Sequence, residues 1–418
     1  MNPPNHFSRR KFLGTALASS AVASVVSTVR SRAADEAPAA VPLKVGRKIK
    51  VGQVGCGGRG SWIADLFKQH GGYEFVAVAD YFAERAEKTG AALGVAKAKC
   101  FSGLSGYQRV IESGIEAIIL ETPPYFFPGH AAAAVEAGLH VYMAKPVAVD
   151  VPGVLRIGAL GKTATAKQRV FLVDYQIPTD PFHIEIRKRI VEGGLGKLNM
   201  IYSSGKYGND NGFSDPPPGA SIENRLVDFI WCNDDALGCG YIGNFDLHII
   251  DAVVWALGRR PVSAHAMGGR FRGDPHGDAL DTYVVTYAMD DGVAWSHQSA
   301  VGPVNDWLKM ALEASIQGSG ASARLSYFQR VYVRGGAMHY PGGKQDDMYK
   351  GGACQNISDF YQNVLAGNCG NDTAERSVDS TLTCILGREA ARRKTLLTMD
   401  ELLKENKRLE VDLKGLKA

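Results

Sequence analysis

Residues 48–60 constrain this chain more than any other stretch. Lys48-Ile49-Lys50-Val51-Gly52-Gln53-Val54 alternates in polarity and runs straight into Gly55-Cys56-Gly57-Gly58-Arg59-Gly60. The alternation reads as a strand, and glycines spaced Gly-x-Gly-x-x-Gly read as a tight turn into a helix, here continued by Trp62 to Gln69. Such a turn needs Gly55 for its backbone torsion and Gly57 so that a ligand can approach the main chain. It needs Gly60 so that helix and strand can close on each other. The N–H groups at the helix start, from Gly58 and Arg59 onward, then point outward, which suits phosphate.

The elements that follow give the turn its context. Tyr73 to Ala79 is a mostly apolar strand that ends at Asp80, about twenty residues after Gly60. An acid there accepts from ribose hydroxyls and repels a 2′-phosphate, so the site favours NAD over NADP. Arg59 and Arg85 are the residues expected to soften that preference. A helix over Ala83–Leu93 comes next, then an apolar strand over Ile115–Leu120 broken only by Glu116 and bounded by Thr122-Pro123-Pro124. An alanine-rich helix over His130–Ala137 and short strands over Val141–Met143 and Val170–Val173 complete the alternation. Near-continuous apolar strands between helices predict an α/β domain of Rossmann type, with a doubly wound parallel sheet.

After about residue 175 the pattern changes. A helix over Ile184–Glu192 ends at Gly193-Gly194, and alternating runs such as Asn199–Ser204 and Thr282–Ala288 follow. Thr282–Ala288 meets Val293–His297 across Asp290-Asp291-Gly292, a hairpin turn. These runs predict an α+β domain with a largely antiparallel open sheet. Thr398-Met399-Asp400-Glu401 is a capping box opening a final helix, and residues 206–220, with Pro216-Pro217-Pro218-Gly219, read as a long loop. The expected boundaries are a signal over 1–33, a linker over 34–46, the first domain over 47–168 and the second over 169–418. The last helices are expected to pack back on the first domain.

The N-terminus carries an address. Ser8-Arg9-Arg10-Lys11-Phe12-Leu13-Gly14 precedes a weakly apolar run from Thr15 to Val29, as in a twin-arginine export signal. Small residues around Ser31-Arg32-Ala33 suit cleavage near Ala33 or Ala34; an uncleaved anchor is the alternative. Residues 1–33 hold five basic groups and no acid, so their removal takes the formal net charge from +4 to −1. Nothing in that near-neutral chain favours nucleic acid or an anionic membrane. The seven cysteines show no CxxC or zinc spacing and the ten histidines no HExxH, so neither a disulfide framework nor a metal site is expected. The twin-arginine export machinery carries folded proteins. That suits a periplasmic chain whose NAD is tightly bound before export.

Several separated segments bring a resemblance. Thr122-Pro123-Pro124, His130, Gly138-Leu139-His140-Val141, Ala144-Lys145-Pro146, the run Gly238 through Asp251 and the closing stretch Gly387–Leu403 resemble the glucose–fructose oxidoreductase / inositol dehydrogenase (Gfo/Idh/MocA) family over residues 47–415. The resemblance implies an NAD(P)-dependent oxidoreductase that moves hydride between a carbinol carbon of a sugar or polyol and nicotinamide. It implies cofactor contacts at Thr122, Pro123 and Lys145, and a homo-oligomer built through the second sheet. It makes Lys145 the catalytic-site lysine and His248 the general acid/base, with Asn244 and Lys145 orienting the hydroxyl. The chemistry agrees: a histidine titrates near working pH, and an ammonium stabilises a developing alkoxide.

The family's glutamate before Lys-Pro is Ala144 here, and its aspartate four residues before the histidine is Asn244. Asp246 is the candidate stand-in, and Asp251 matches the family's second acid. The arginine expected after the 170–173 strand is absent from Ile177-Pro178-Thr179-Asp180. Lys206, Tyr207 and Trp231 are candidates for a sugar site, and Tyr175 and Gln176 for reaching the cofactor, while His130 and His140 read as structural. Two other functions use the same parts: redox-neutral cleavage of a glycoside through a transient keto-sugar, and a cofactor-bearing binding protein with weakened catalysis.

Overall fold

The glycine-rich turn lies at the carboxyl edge of β1 (Ile49–Val54), whose residues are buried except for Lys50. The computed structural model describes residues 45–208, 221–227, 230–271, 277–302 and 311–418. The signal, nearly all of the linker and the Pro216–Pro218 loop lie outside the described residues.

From β1 the chain alternates through α1 (Gly58–His70), β2 (Tyr73–Asp80), α2 (Ala83–Leu93), β3 (Cys100–Ser102) and α3 (Gly106–Ile111). It continues through β4 (Ala117–Leu120), α4 (Phe127–Glu136), β5 (His140–Met143), α5 (Val151–Ala166) and β6 (Phe171–Val173). The strands form one parallel sheet ordered β3-β2-β1-β4-β5-β6, so strand order reverses between β1 and β4, where open α/β sheets bind ligands. On one face Ile119, Tyr142 and Leu172 pack against Phe67 of α1 and Phe360 of a later helix. On the other, Leu120, Met143 and Val173 pack with Ala131 and Val154 of α4 and α5.

The division at 168/169 falls too early. β6 pairs in parallel with β5, Val141 opposite Phe171, so a boundary there removes a buried strand from its own sheet. The change of pattern near residue 175 marks the boundary better.

Then come α6 (Pro181–Val191), β7 (Leu198–Gly208), the short α7 (Asp235–Gly238), a π-helical turn Ile242–Asp246 and α8 (Leu247–Leu257). Strands β8 (Ser263–Gly269), β9 (Thr282–Ala288), β10 (Ala294–Gly302), β11 (Ala311–Gly318), β12 (Ser322–Ser326), β13 (Val331–Arg334) and β14 (Tyr340–Gly343) follow. The chain closes with α9 (Met348–Ala366), α10 (Asp372–Arg393), β15 (Leu396–Thr398) and α11 (Met399–Glu405). Among the described residues the second sheet has nine strands, β14-β13-β12-β11-β7-β10-β9-β8-β15, antiparallel throughout except for β7 beside β10. β9 and β10 form the hairpin read from Asp290-Asp291-Gly292, with Gly292 at φ +81°.

Helices α5, α9 and most of α10 leave weak traces in the sequence. α5 carries Gly153, Gly158 and Gly161, which dilute its helix signal. Their reason is tertiary: a Cβ at Gly158 would lie 2.9 Å from Val378 and one at Gly161 2.8 Å from Ala374, both on α10. α9 packs against α1 and α10 against α5 and β6, so the closing helices lie on the first sheet's layers.

Arg388 of α10 ties these layers together. It is fully buried and donates to the Val149 carbonyl at 3.0 Å, with Asp235 at 3.7 Å and Glu389 at 3.3 Å. Arg388→Ala takes the donor from the buried Val149 carbonyl and one of the two cations from buried Asp235, which keeps Arg392, and it empties a fully buried site. It is expected to cost about 3–5 kcal/mol, read as a lower urea midpoint at an unchanged slope.

Candidate functional site

The turn after β1 has the geometry its glycines predict. Gly55 sits at φ +97°, and a Cβ there would come within 2.5 Å of the Glu121 backbone. A Cβ on Gly60 would lie 2.1 Å from the Gly55 carbonyl oxygen. Gln53 clamps the turn, its amide donating to the carbonyls of Gly55 and Gly60, each at 2.8 Å. A Cβ at Gly58 would meet nothing within 4 Å, so a ligand can reach the main chain there. No side chain caps α1 at Gly57, which leaves its first N–H groups directed at the cleft.

That cleft is walled by Gly55, Gly57, Gly58, Asp80, Thr122 and Pro123. Asp80 accepts from the Cys56 N–H at 2.7 Å and the Phe82 N–H at 2.9 Å, which orients its carboxylate at the end of β2. Burial raises its pKa, against those bonds and Arg85. The open glycine, the uncapped helix and the oriented acid fit a dinucleotide. His130 packs against the rings of Tyr107 and Phe126 in the wall of the same cleft, and burial pushes its pKa down to about 3. His140 lies away from it, accepting from the Val170 N–H at 2.9 Å.

A second cavity adjoins the first and shares Arg59, Glu121, Thr122 and Trp231 with it. Lys145, Asn244 and His248 meet on its wall. Lys145 follows β5, whereas Asn244 lies in the π-turn that precedes α8 and His248 in the first turn of that helix. The Lys145 ammonium donates to the Asn244 main-chain carbonyl, and the Asn244 side-chain amide donates to the Gly238 carbonyl. Asn244 thus fixes the lysine through its backbone while its side chain anchors the turn. Burial, then the cation Arg59, brings the Lys145 pKa down to about 8. Burial, then Lys145 and Arg59, holds His248 well below the usual imidazole range, so its ring is neutral at neutral pH. That ring packs 5.0 Å from the ring of Tyr327.

Asp246 does not replace the carboxylate missing at position 244. Its side chain turns under the second sheet, 3.3 Å from His297 Nε2, and a Cβ on Gly205 of β7 would overlap it. Asp251 also faces away, accepting from Ser380 at 2.7 Å and Arg376 at 3.2 Å.

Arg59 departs from its expected place near the adenosine ribose. Its Nε lies 3.1 Å from Glu121, its guanidinium pairs with Asp174, and it lies 5.7 and 5.3 Å from the rings of Trp62 and Tyr349. The cause is the sheet edge, where two buried acids draw the cation toward the Lys145 end of the cleft. Arg85 alone of the two arginines lies beside Gly57 and Asp80.

Of the remaining candidates, Tyr207 and Trp231 line the second cavity, whereas Lys206 points to the opposite face of the sheet beside Tyr202 and Ser296. Alternation along β7 separates the two neighbours. Tyr175 packs under Arg376, 5.2 Å away and outside both cavities. Gln176 supports the site from behind, donating to Asp174 at 2.8 Å and accepting from Tyr327 at 3.1 Å. Sequence reasoning missed Glu121, Asp174, Tyr327 and Tyr349. The first two had a signal: each directly follows an apolar strand, at the edge where parallel sheets bind ligands.

Two family models match this chain: "Oxidoreductase family, NAD-binding Rossmann fold" over residues 49–175 and "GFO/IDH/MocA C-terminal domain" over residues 183–324. The chain belongs to the Gfo/Idh/MocA family. It is 25% identical over 255 residues to Inositol 2-dehydrogenase 4 of Saccharopolyspora erythraea, a match spanning 59% of this chain and 65% of that relative. Among solved structures, an inositol dehydrogenase homolog from Azotobacter vinelandii complexed with NAD+ superposes with a TM-score of 0.67 at 18% identity, covering 85% of this chain and 98% of that one. A levoglucosan dehydrogenase in complex with NADH and levoglucosan gives 0.67 at 16% identity, covering 84% and 100%. These likenesses show the shared fold.

Gly60→Ala sets a methyl group against the Gly55 carbonyl and forces α1 away from β1. Titration with NAD+ is expected to show affinity lowered by about ten-fold or more, roughly 1.4 kcal/mol, together with a lower melting temperature.

Proposed function

We propose that this chain is an exported NAD-dependent oxidoreductase that transfers hydride between a carbinol carbon of a sugar or polyol and a tightly held nicotinamide. The observation that carries it is the meeting of Lys145, Asn244 and His248 in a cavity continuous with the glycine turn. The printed names of the inositol and levoglucosan dehydrogenases support a polyhydroxylated substrate. The orientation of Asp80 supports NAD over NADP.

NAD, when bound, supplies the hydride acceptor. The chain does the rest. Neutral His248 receives the proton of the reacting hydroxyl as the carbon loses hydride. Lys145, held by the Asn244 carbonyl, puts positive charge where the alkoxide develops. Trp231 and Tyr207 offer ring faces to the apolar face of a sugar ring. The arginine pair and apolar run of residues 8–29 support twin-arginine export, and a cofactor bound before export suits a compartment without free NAD. Tyr202, Met267 and Val284, exposed on one face of the second sheet, support a homo-oligomer closed over that face.

The test uses the protein without residues 1–33. It is expected to carry or bind nicotinamide nucleotide and to produce NADH with a keto product from myo-inositol or levoglucosan. His248→Ala is expected to lower kcat by roughly 100-fold or more while leaving NAD+ affinity intact. Glycoside cleavage without net NADH selects the redox-neutral reaction. A protein that binds nucleotide but turns over nothing is a binding protein, and one that binds no nucleotide overturns the reading. Lys145 must keep its proton, so wild-type activity is expected to fall as pH rises through about 8.

A further inference from the structure

The carboxyl edge of the first sheet holds a row of residues that the mechanism above does not use. Leu120 of β4 is paired with Met143 of β5, and Met143 with Val173 of β6. The next residues along, Glu121, Ala144 and Asp174, are therefore lateral neighbours whose side chains share one face. The middle position has only a methyl group, and Arg59 reaches over it to an acid on each side.

The two acids differ. Asp174 is fully occupied by Arg59, Gln176 at 2.8 Å and Asn356 at 2.7 Å. Glu121 has Arg59 Nε 3.1 Å from its Oε2, and its Oε1 has no hydrogen-bond partner among the described residues. Its side chain is 1% exposed, yet it lines both the cleft at the glycine turn and the cavity of Lys145 and His248. A buried carboxylate with an unsatisfied oxygen is costly unless a ligand completes it.

We propose that Glu121 is a ligand-binding carboxylate: it accepts a hydrogen bond from a secondary hydroxyl at the junction of the two cavities. That hydroxyl belongs to the polyol or to the nicotinamide ribose, and the proposal rests on the oxidoreductase reading above. The groups that face Glu121 are Arg59 of α1, Asp174 after β6, Lys145 after β5, Tyr142 of β5 and Tyr349 of α9. Burial and Asp174 push its pKa up to about 7, against Arg59 and Lys145. Its acceptor strength therefore falls as pH drops through about 7, which sets an acid limb distinct from the alkaline limb of Lys145.

The experiment compares wild type with Glu121→Gln, which keeps the shape but cannot ionise. NAD+ affinity is read by tryptophan fluorescence, and KM for myo-inositol or levoglucosan at saturating NAD+. A loss of about ten-fold or more in nucleotide affinity identifies the ribose hydroxyl, and a comparable rise in KM alone identifies the polyol. In either case the limb near pH 7 in that same parameter disappears from the variant. Unchanged affinity, unchanged KM and an unchanged acid limb overturn the proposal and leave Glu121 as a structural partner of Arg59. Should Glu121→Gln fail to fold, Glu121→Asp keeps the charge beside Arg59 but shortens the reach, and the same losses are expected. A wild type that turns over no polyol sinks the oxidoreductase reading, while nucleotide affinity and its pH dependence still judge Glu121.

Discussion

The register of three neighbouring parallel strands governs this site. Parallel strands lie about 4.8 Å apart and in-register side chains share a face, so the residues after β4, β5 and β6 must stand in a row. At 121, 144 and 174 that row reads acid, methyl, acid. Two buried carboxylates close together demand a cation, and Arg59, at the start of the helix that the glycine turn opens, pairs with both. The guanidinium in turn lies beside the mutually stacked rings of Trp62 and Tyr349 and donates to the Tyr349 hydroxyl. The glycine turn and the cavity of Lys145 and His248 are thus coupled through one buried ion cluster.

The second sheet supplies the other wall. α8 is buried along nearly its whole length, and the π-turn before it adds a residue to one turn. The extra residue leaves the Asn244 carbonyl pointing to Lys145, while Asp246 faces His297 beneath the sheet. Arg388 holds this segment from behind, reaching Cys239 Sγ at 3.6 Å and the Val149 carbonyl at 3.0 Å. Cations and neutral imidazole are set by burial: Lys145 and Arg59 both lower His248, and Arg59 lowers Lys145. The same low-dielectric enclosure that depresses these groups would strengthen their action on a developing alkoxide.

Local patterns were legible where one element carried its own evidence. The turn at 55–60, the acid ending β2, the hairpin at 290–292 and the capping box at 398–401 all have the geometry their residues imply. Lys145, Asn244 and His248 came from motif resemblance, and the structure brings all three to one cavity. Helices α5 and α10 were obscured because their glycines and small polar residues serve helix–helix contact rather than an amphipathic stripe. Lys206 and Tyr207 could not be sorted without knowing which face of β7 is covered.

The sequence by itself determined the class of the first domain, the nucleotide-facing turn and the family, because these rest on spacing within one strand–turn–helix unit or on short ordered motifs. Only the tertiary structure decided where Arg59 points, that Asp246 is no substitute at 244, and that Glu121 faces both cavities. Each of those depends on the register between strands far apart in the chain and on what burial leaves unpaired. Neither quantity is written in any local stretch of residues.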